Sequence, residues 1–448
     1  MLKSAIIGTV LLASTMGVAQ AQTAWVVRPE WVSAHESFLA SDALNGRGSA
    51  TRDEAIAASY VASQFQSYGL APAPGLNSYL QTATIIRPRL DGAPSLSFLG
   101  VKITSSMKLL TSSGESVKGA VKLVTSDDPK AMPRADIVMV SAAPSRAWFG
   151  AAQQKQVKLL IFRDGEAAQN LWVMMGSHTS MGAYLEGEKP SHSRGNMVIL
   201  SADVFDKLAA KPDTEISFDL PAIIEDKSLT TNAIGYLKGS DPKAGTILYS
   251  AHLDHLGAKP DGVIMHGAND DASGTTAVLE IAHALTAGQT PKRSILFIAY
   301  GSEEIGEFGS LYFGKHSPVP LESIIANIEF EMIGAQDPKL PTNSLMMTGF
   351  SKSDLGEALK RHGALVVDDP YPDQHFFERS DNYQLALKGI VAHTVSGWAT
   401  TPTYHQASDD LAHLNLPFMT AAIQSLIIPA TWLANSDFVP QWKPGSKP

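Results

Sequence analysis

The chain has 448 residues, a formal net charge of −9, 44% hydrophobic and 18% charged residues, and no cysteine. At roughly 100–200 residues per domain this is a protein of two or three domains, and its ordinary composition excludes global disorder, collagen-like repeats and a coiled coil. With 44 acids against 35 bases and no dense Lys/Arg run, nucleic acid is excluded as a partner. Without cysteine there are no disulfides, thiolate ligands, iron–sulfur clusters or cysteine nucleophile. Any metal must rest on His, Asp or Glu.

Residues 1–21 read as an export signal: Lys3, an apolar stretch from Ala5 to Val18, and Ala19-Gln20-Ala21 as the small-x-small cleavage site. The stretch is shorter than the ~20 residues that span a bilayer, so a signal peptide is expected rather than an anchor. No later segment reads as a membrane span, and a periplasmic or extracellular location after cleavage near Ala21 is expected. Residues 22–90 read as a first segment ahead of the change in character that follows. From Trp31 to Leu70 it is mostly helical, with Ala55, Ala58, Val61, Ala62 and Phe65 at helix-like spacing and Gly69 and Pro72 as stop signals. Residues 91–228 change to short β-like runs at Val117–Val124, Ile137–Ser141, Val157–Phe162 and Asn196–Leu200, and read as an inserted, smaller β-rich domain.

From residue 229 to 448 strands alternate with helices. Gly245–Ala251, Ser294–Tyr300, Ile324–Glu331 and Gly389–Val395 are predicted strands; Ser273–Leu285 and Ser353–His362 are predicted helices. The fold class is therefore α/β, with a central, largely parallel sheet flanked by helices and the β-rich insert beside it. In such sheets sites collect where strands end. His252-Leu-Asp254 follows the first strand, and a Gly-rich turn, Gly267-Ala-Asn-Asp-Asp-Ala-Ser-Gly274, opens the next helix. Glu303-Glu304 follows the second strand, Glu331 ends the third, and Tyr404-His405 precedes Asp409-Asp410. Singly, each has a bland explanation as a helix cap, a solvated loop or a core histidine. Their recurrence at successive strand ends, with Glu329 and Glu331 in an apolar strand, points to a divalent metal, which removes the cost of unpaired buried charge.

At these residues the chain resembles the co-catalytic di-zinc aminopeptidases, a family that includes relatives of glutamate carboxypeptidase, glutaminyl cyclase and the transferrin receptor. His252-Leu-Asp254, Gly267–Gly274, Glu303-Glu304, Asn327–Gly334, Ser380-Asp381 and Tyr404-His405 occur in the family's order. The resemblance implies two Zn2+ ions bridged by Asp270, with His252 and Glu331 completing one ion's protein ligands and Glu304 and His405 the other's. It implies Glu303 as general base, Asp254 as acceptor of a hydrogen bond that fixes the His252 tautomer, and Tyr404 as a helper at the oxyanion. Many members carry Asp where this chain has Glu331. The insert is similar to the protease-associated domain that some members carry.

The expected function is an exported di-zinc exopeptidase, most simply an aminopeptidase acting on peptides. The alternatives are a carboxypeptidase or dipeptidase of the same fold, which would need a cation such as Arg361 or Arg379 to hold a free carboxylate, and a non-catalytic receptor-like module. His255 and His266 read as structural neighbours of the metal loops, and Glu280 and His283 as an isolated Glu-x-x-His. Asp381 matches a family position without an assigned role. Oligomeric state and side-chain preference are not legible.

Overall fold

The computed structural model describes residues 25–175, 179–188 and 195–448; the expected export signal lies outside them. Four consecutive strands of the C-terminal half run parallel, in the spatial order Ser294–Tyr300, Thr246–His252, Ile324–Glu331 and Val391–Ser396. Almost every residue along them is buried, as a sheet covered on both faces requires. Antiparallel neighbours complete the sheet: Leu345–Met347 beside Val391–Ser396, and Ile223–Leu237 beside Ser294–Tyr300. The architecture is the expected mixed α/β sheet flanked by helices, parallel across these four central strands but antiparallel in five of its nine strand pairings among the described residues, so it is less parallel than expected.

One face is covered by Pro29–Leu39, Arg52–Ser67, Ser273–Thr286 and Leu416–Asn435, which share one large apolar core with the sheet. In Arg52–Ser67 the Thr51 hydroxyl accepts from Asp53 and Glu54 N–H and caps the helix. The buried stripe of this helix is Glu54, Ala57, Ala58, Val61, Ala62 and Phe65; Ala55, read from sequence as part of it, is exposed. Leu416–Asn435 corrects the sequence reading that no later segment could span a membrane. It passes by length and composition, with a mean hydropathy of 1.4. The structure spends that hydrophobicity internally, with Phe418, Met419, Ala422, Ile423, Leu426 and Leu433 buried in the core.

The insert has its own sheet, whose strands fall between Ser95 and Asp219. Its central strands, Val117–Val124, Ile137–Val140, Leu159–Arg163 and Asn196–Leu200, are parallel. Three helices, Arg146–Gln154, Glu166–Met174 and Ala202–Ala209, accompany them, so the insert is itself α/β. At eight or nine residues each, these helices leave little periodic signal in the sequence. Leu80–Leu90 pairs with Ile223–Leu237 along its whole length, from Leu90 opposite Ile223 to Leu80 opposite Ala233. This ribbon joins the two sheets and takes up residues 223–228, which the sequence boundary had placed in the insert.

Candidate metal centre

His252 closes the Thr246–His252 strand and Glu331 closes Ile324–Glu331, with Glu303 and Glu304 just past Ser294–Tyr300. The parallel register places these strand ends side by side: His252 is opposite Tyr300, and Glu331 opposite Ser396. Ser302, Met332 and His405 adopt left-handed backbone conformations with φ of 56°, 54° and 55°. Such turns cost a non-glycine residue on the order of 1–3 kcal/mol each and persist only where neighbours enforce them. Here the Ser302 hydroxyl donates to Glu54 Oε2 at 2.8 Å, and Met332 N–H donates to Asp271 Oδ1 at 3.0 Å.

Asp270 lies at the centre. Its Oδ1 is 3.2 Å from His252 Nε2 and its Oδ2 is 3.2 Å from His405 Nε2. Glu304 Oε2 lies 3.1 Å from the same His405 nitrogen. Asp270 Oδ2 is buried yet accepts no hydrogen bond. Two groups could each hold a metal ion: His252, Asp270 and Glu331, and His255, Asp270 and Glu304. Both contain Asp270, and each of its oxygens faces a different histidine. The donor set is one of imidazoles and carboxylates, suited to zinc. The residues present therefore fit a pair of divalent ions sharing one carboxylate.

The electrostatics of these side chains agree. Burial, reinforced by Asp270 and Glu304, pushes Glu331 up to about 7. Burial also raises Glu303 well above the carboxylate range, with Glu304, Asp381 and Glu331 adding to the effect. Burial works against the His405 imidazolium, yet Asp270 and Glu304 together lift its pKa to about 10. Acids that resist ionisation beside histidines that resist neutrality are the mark of a cluster short of positive charge, which divalent cations would supply.

The side chains behind the cluster explain its rigidity. Asp271 accepts from Gly274 N–H at 2.9 Å and Met332 N–H at 3.0 Å, and its other oxygen accepts from His252 N–H at 3.3 Å. A Cβ at Gly274 would sit 2.2 Å from the Phe330 carbonyl and 2.4 Å from Asp271, so only glycine lets the helix begin this close. Asp254 accepts from Ser49 Oγ at 2.5 Å and from Glu303 N–H at 3.0 Å. Its carboxylate is 3.7 Å from His252 Nδ1, whereas its carbonyl is at 3.2 Å. The expected carboxylate contact with His252 is thus replaced by a grip on the Glu303-Glu304 turn, and the backbone carbonyl takes the imidazole.

Sequence reasoning passed over three contributors. His255, read as a structural neighbour, places Nδ1 2.7 Å from Glu304 Oε1. Asp409 accepts from Asn269 and Asp270 N–H at 2.9 and 3.0 Å and so sets the peptide planes of the bridging residue. Arg47, fully buried, donates to the carbonyls of Leu39, Leu253, His266 and Gly267, tying the first segment to both metal loops. The adjacency of His255 to His252-Leu-Asp254 was a usable signal; the partners of Arg47 at Leu253, His266 and Gly267 are too distant in sequence to leave one. His266 lies outside the cluster, 2.7 Å from Asp42. Tyr404 stacks on His405 with ring centres 3.9 Å apart and is about a third exposed.

Residues 232–428 match the pattern of peptidase family M28. Among curated proteins, the chain is similar to a probable leucine aminopeptidase 2 of Aspergillus oryzae, 27% identical over 231 residues, covering 45% of this chain and 44% of that one. Aminopeptidase YwaD of Bacillus subtilis is 37% identical over 105 residues, 23% of this chain and 22% of the other. The matched part spans less than half the length of these relatives. Two solved structures share the fold across nearly the whole chain at 18% identity. An aminopeptidase from Aneurinibacillus sp. strain AM-1 gives a TM-score of 0.58 over 93% of this chain and 95% of its own, and a zinc aminopeptidase from Bacillus subtilis gives 0.54 over 94% and 97%.

Proposed function

We propose that this protein is an exported M28 zinc aminopeptidase that releases the first residue of peptides. The observation that carries the reading is the Asp270 carboxylate, with one oxygen toward His252 and the other toward His405 and Glu304. In this assignment His252, Asp270 and Glu331 would hold one Zn2+, and Asp270, Glu304 and His405 the other, with His255 steadying Glu304 through its 2.7 Å contact. Bound zinc would supply Lewis acidity toward the scissile carbonyl and make a water nucleophilic at neutral pH.

The chain's own residues divide the remaining work. Glu303 takes the proton from the attacking water and gives it to the leaving amine; its raised proton affinity suits a group that must accept and then release one. Asp254 aims Glu303 and Glu304 in different directions by holding the Glu303 N–H. The Tyr404 hydroxyl donates to the oxyanion as the carbonyl carbon becomes tetrahedral. Export rests on the composition of residues 1–21, and the assignment of the insert to a protease-associated-like module on its place between the two halves.

The test is Glu303→Gln. The variant should bind two zinc equivalents with near-native affinity and lose about 100-fold or more in kcat on a peptide with a free N-terminus. Full activity with two zinc ions bound would overturn the proton-transfer role. Equal cleavage of N-acetylated and free peptides by the wild type would overturn the aminopeptidase assignment.

A further inference from the structure

The centre opens on two unequal sides. On the Glu304 side lies the larger opening, bordered by Asn45, Thr51, Arg87, His255 and Ile305. On the Glu331 side lies a smaller recess, walled by Met332, Met346, Phe376 and Ala399 and completed by Tyr404 and Arg379. An enzyme that removes one residue needs a small end pocket for that residue and a wider way out for the rest of the chain. The recess beside Glu331 is the end pocket on this assignment, which rests on the peptidase reading.

Arg379 is the feature of that recess that aliphatic selectivity does not need. Its guanidinium carbon lies 5.0 Å from the centre of the Phe376 ring, a cation–π contact that leaves its hydrogen-bond donors unused. Among the described residues the arginines paired to acids are Arg52, Arg89 and Arg163; Arg379 has no such partner. Arg47 and Arg293 direct their donors to backbone carbonyls, and Arg87 to the Ser49 carbonyl. Arg361, the other arginine considered from sequence, ends the helix Leu355–Arg361 and does not line the recess.

We propose that Arg379 is a specificity-determining residue that pairs with a carboxylate on the side chain of the substrate's first residue, so that acidic N-terminal residues are favoured over their neutral isosteres. A planar guanidinium suits a carboxylate through two parallel N–H donors. Such a contact discriminates against a neutral side chain of the same size, which cannot repay the displaced water. A free α-carboxylate of a dipeptide offers the same chemistry from the other end of the substrate, so the test separates the two.

The experiment compares kcat/KM for glutamyl-, glutaminyl- and leucyl-p-nitroanilide and for Leu-Ala against Leu-Ala-amide, with the wild type, Arg379→Gln and Arg379→Lys. Binding of free L-glutamate and L-leucine to the zinc-loaded proteins is measured by calorimetry alongside. Arg379→Gln should lower the glutamyl rate about 10- to 100-fold while glutaminyl and leucyl rates move less than about 3-fold; Arg379→Lys should recover part of the loss. Glutamate binding should weaken by a similar factor. A loss shared equally by all substrates would overturn the proposal, and so would a loss confined to Leu-Ala. If the wild type cleaves nothing in the panel, the peptidase reading fails, while the calorimetry still decides whether Arg379 selects a carboxylate.

Discussion

The helix Ser273–Thr286 has buried acids at both its ends of influence, and they are treated in opposite ways. Around its N-terminus, Asp254, Asp271 and Asp409 each accept backbone N–H donors from the metal loops. One to two turns further along, Glu36 accepts only the Thr276 hydroxyl, at 2.8 Å, and its other oxygen has no partner. Glu280 makes no hydrogen bond and has only His35 Nε2 within 3.4 Å of Oε1. The front acids fix peptide planes, because each grips N–H groups of the metal loops. The back acid Glu36 survives burial by keeping its proton: desolvation lifts it to about 8. Burial alone therefore does not mark function here; what the carboxylate grips does.

The comparison breaks most sharply at Arg47. If the front is rigid because this side chain ties four carbonyls together, Arg47→Leu leaves buried acceptors unpaired, at about 1–3 kcal/mol each. The variant is expected to lose more than about 4 kcal/mol, seen as loss of the cooperative denaturant transition or a midpoint far below the wild type. Arg47→Lys keeps a charge and fewer donors, so it should fall between them. An Arg47→Leu protein that melts within a few degrees of the wild type would show that the metal loops hold themselves.

That residue also measures what could be read in advance. The strands that carry the site were legible, Ile324–Glu331 to the residue, because continuous β-branched and apolar runs permit little else. His252, Glu304 and Glu331 were legible as candidates because they sit at or just past strand ends, whereas Asp270 and His405 came from the family resemblance. The side chains that position them were not. Ser49 reaches Asp254 across 205 residues of sequence, Arg47 reaches Gly267 across 220, and Asp409 reaches Asp270 across 139. No local pattern encodes contacts of that range. The short strands Leu345–Met347 and Val366–Asp368 were missed for a different reason: three residues show no period.

The back end predicts a pH dependence of known sign. Glu36 rises from 4.5 in the unfolded chain to about 8 in the fold, so between these values the native state binds more protons than the unfolded one. Its protonated form contributes stability that is fully present below pH 4.5 and is lost as pH rises through about 8. Glu36→Gln keeps an acceptor for Thr276 and removes the titration. Relative to the wild type, the variant should gain on the order of a few kcal/mol between pH 5 and pH 8.5, measured by urea denaturation of the zinc-free protein. A constant difference across that range would mean that Glu36 is ionised in the fold, with a partner comparable to those at the front.

The smallest expected effect decides whether the front acids serve the metal or merely the fold. Asp409 contacts the cluster through the N–H groups of Asn269 and Asp270, one on each carboxylate oxygen. In Asp409→Asn one oxygen becomes an NH2 facing an N–H, and the Asp270 peptide loses its fixed plane. A bridging carboxylate tolerates little rotation, because turning one oxygen toward its ion turns the other away. Zinc affinity, measured by competition with a chelator, should weaken about 10- to 100-fold, with a smaller loss in the stability of the zinc-free protein. Burial pushes Asp409 up to about 6, so the wild type itself protonates there, and its advantage over the variant should shrink as pH falls through that value. If zinc affinity is unchanged while stability drops, Asp409 belongs with Glu36, and the contrast between the two ends reduces to how many N–H groups each acid can reach.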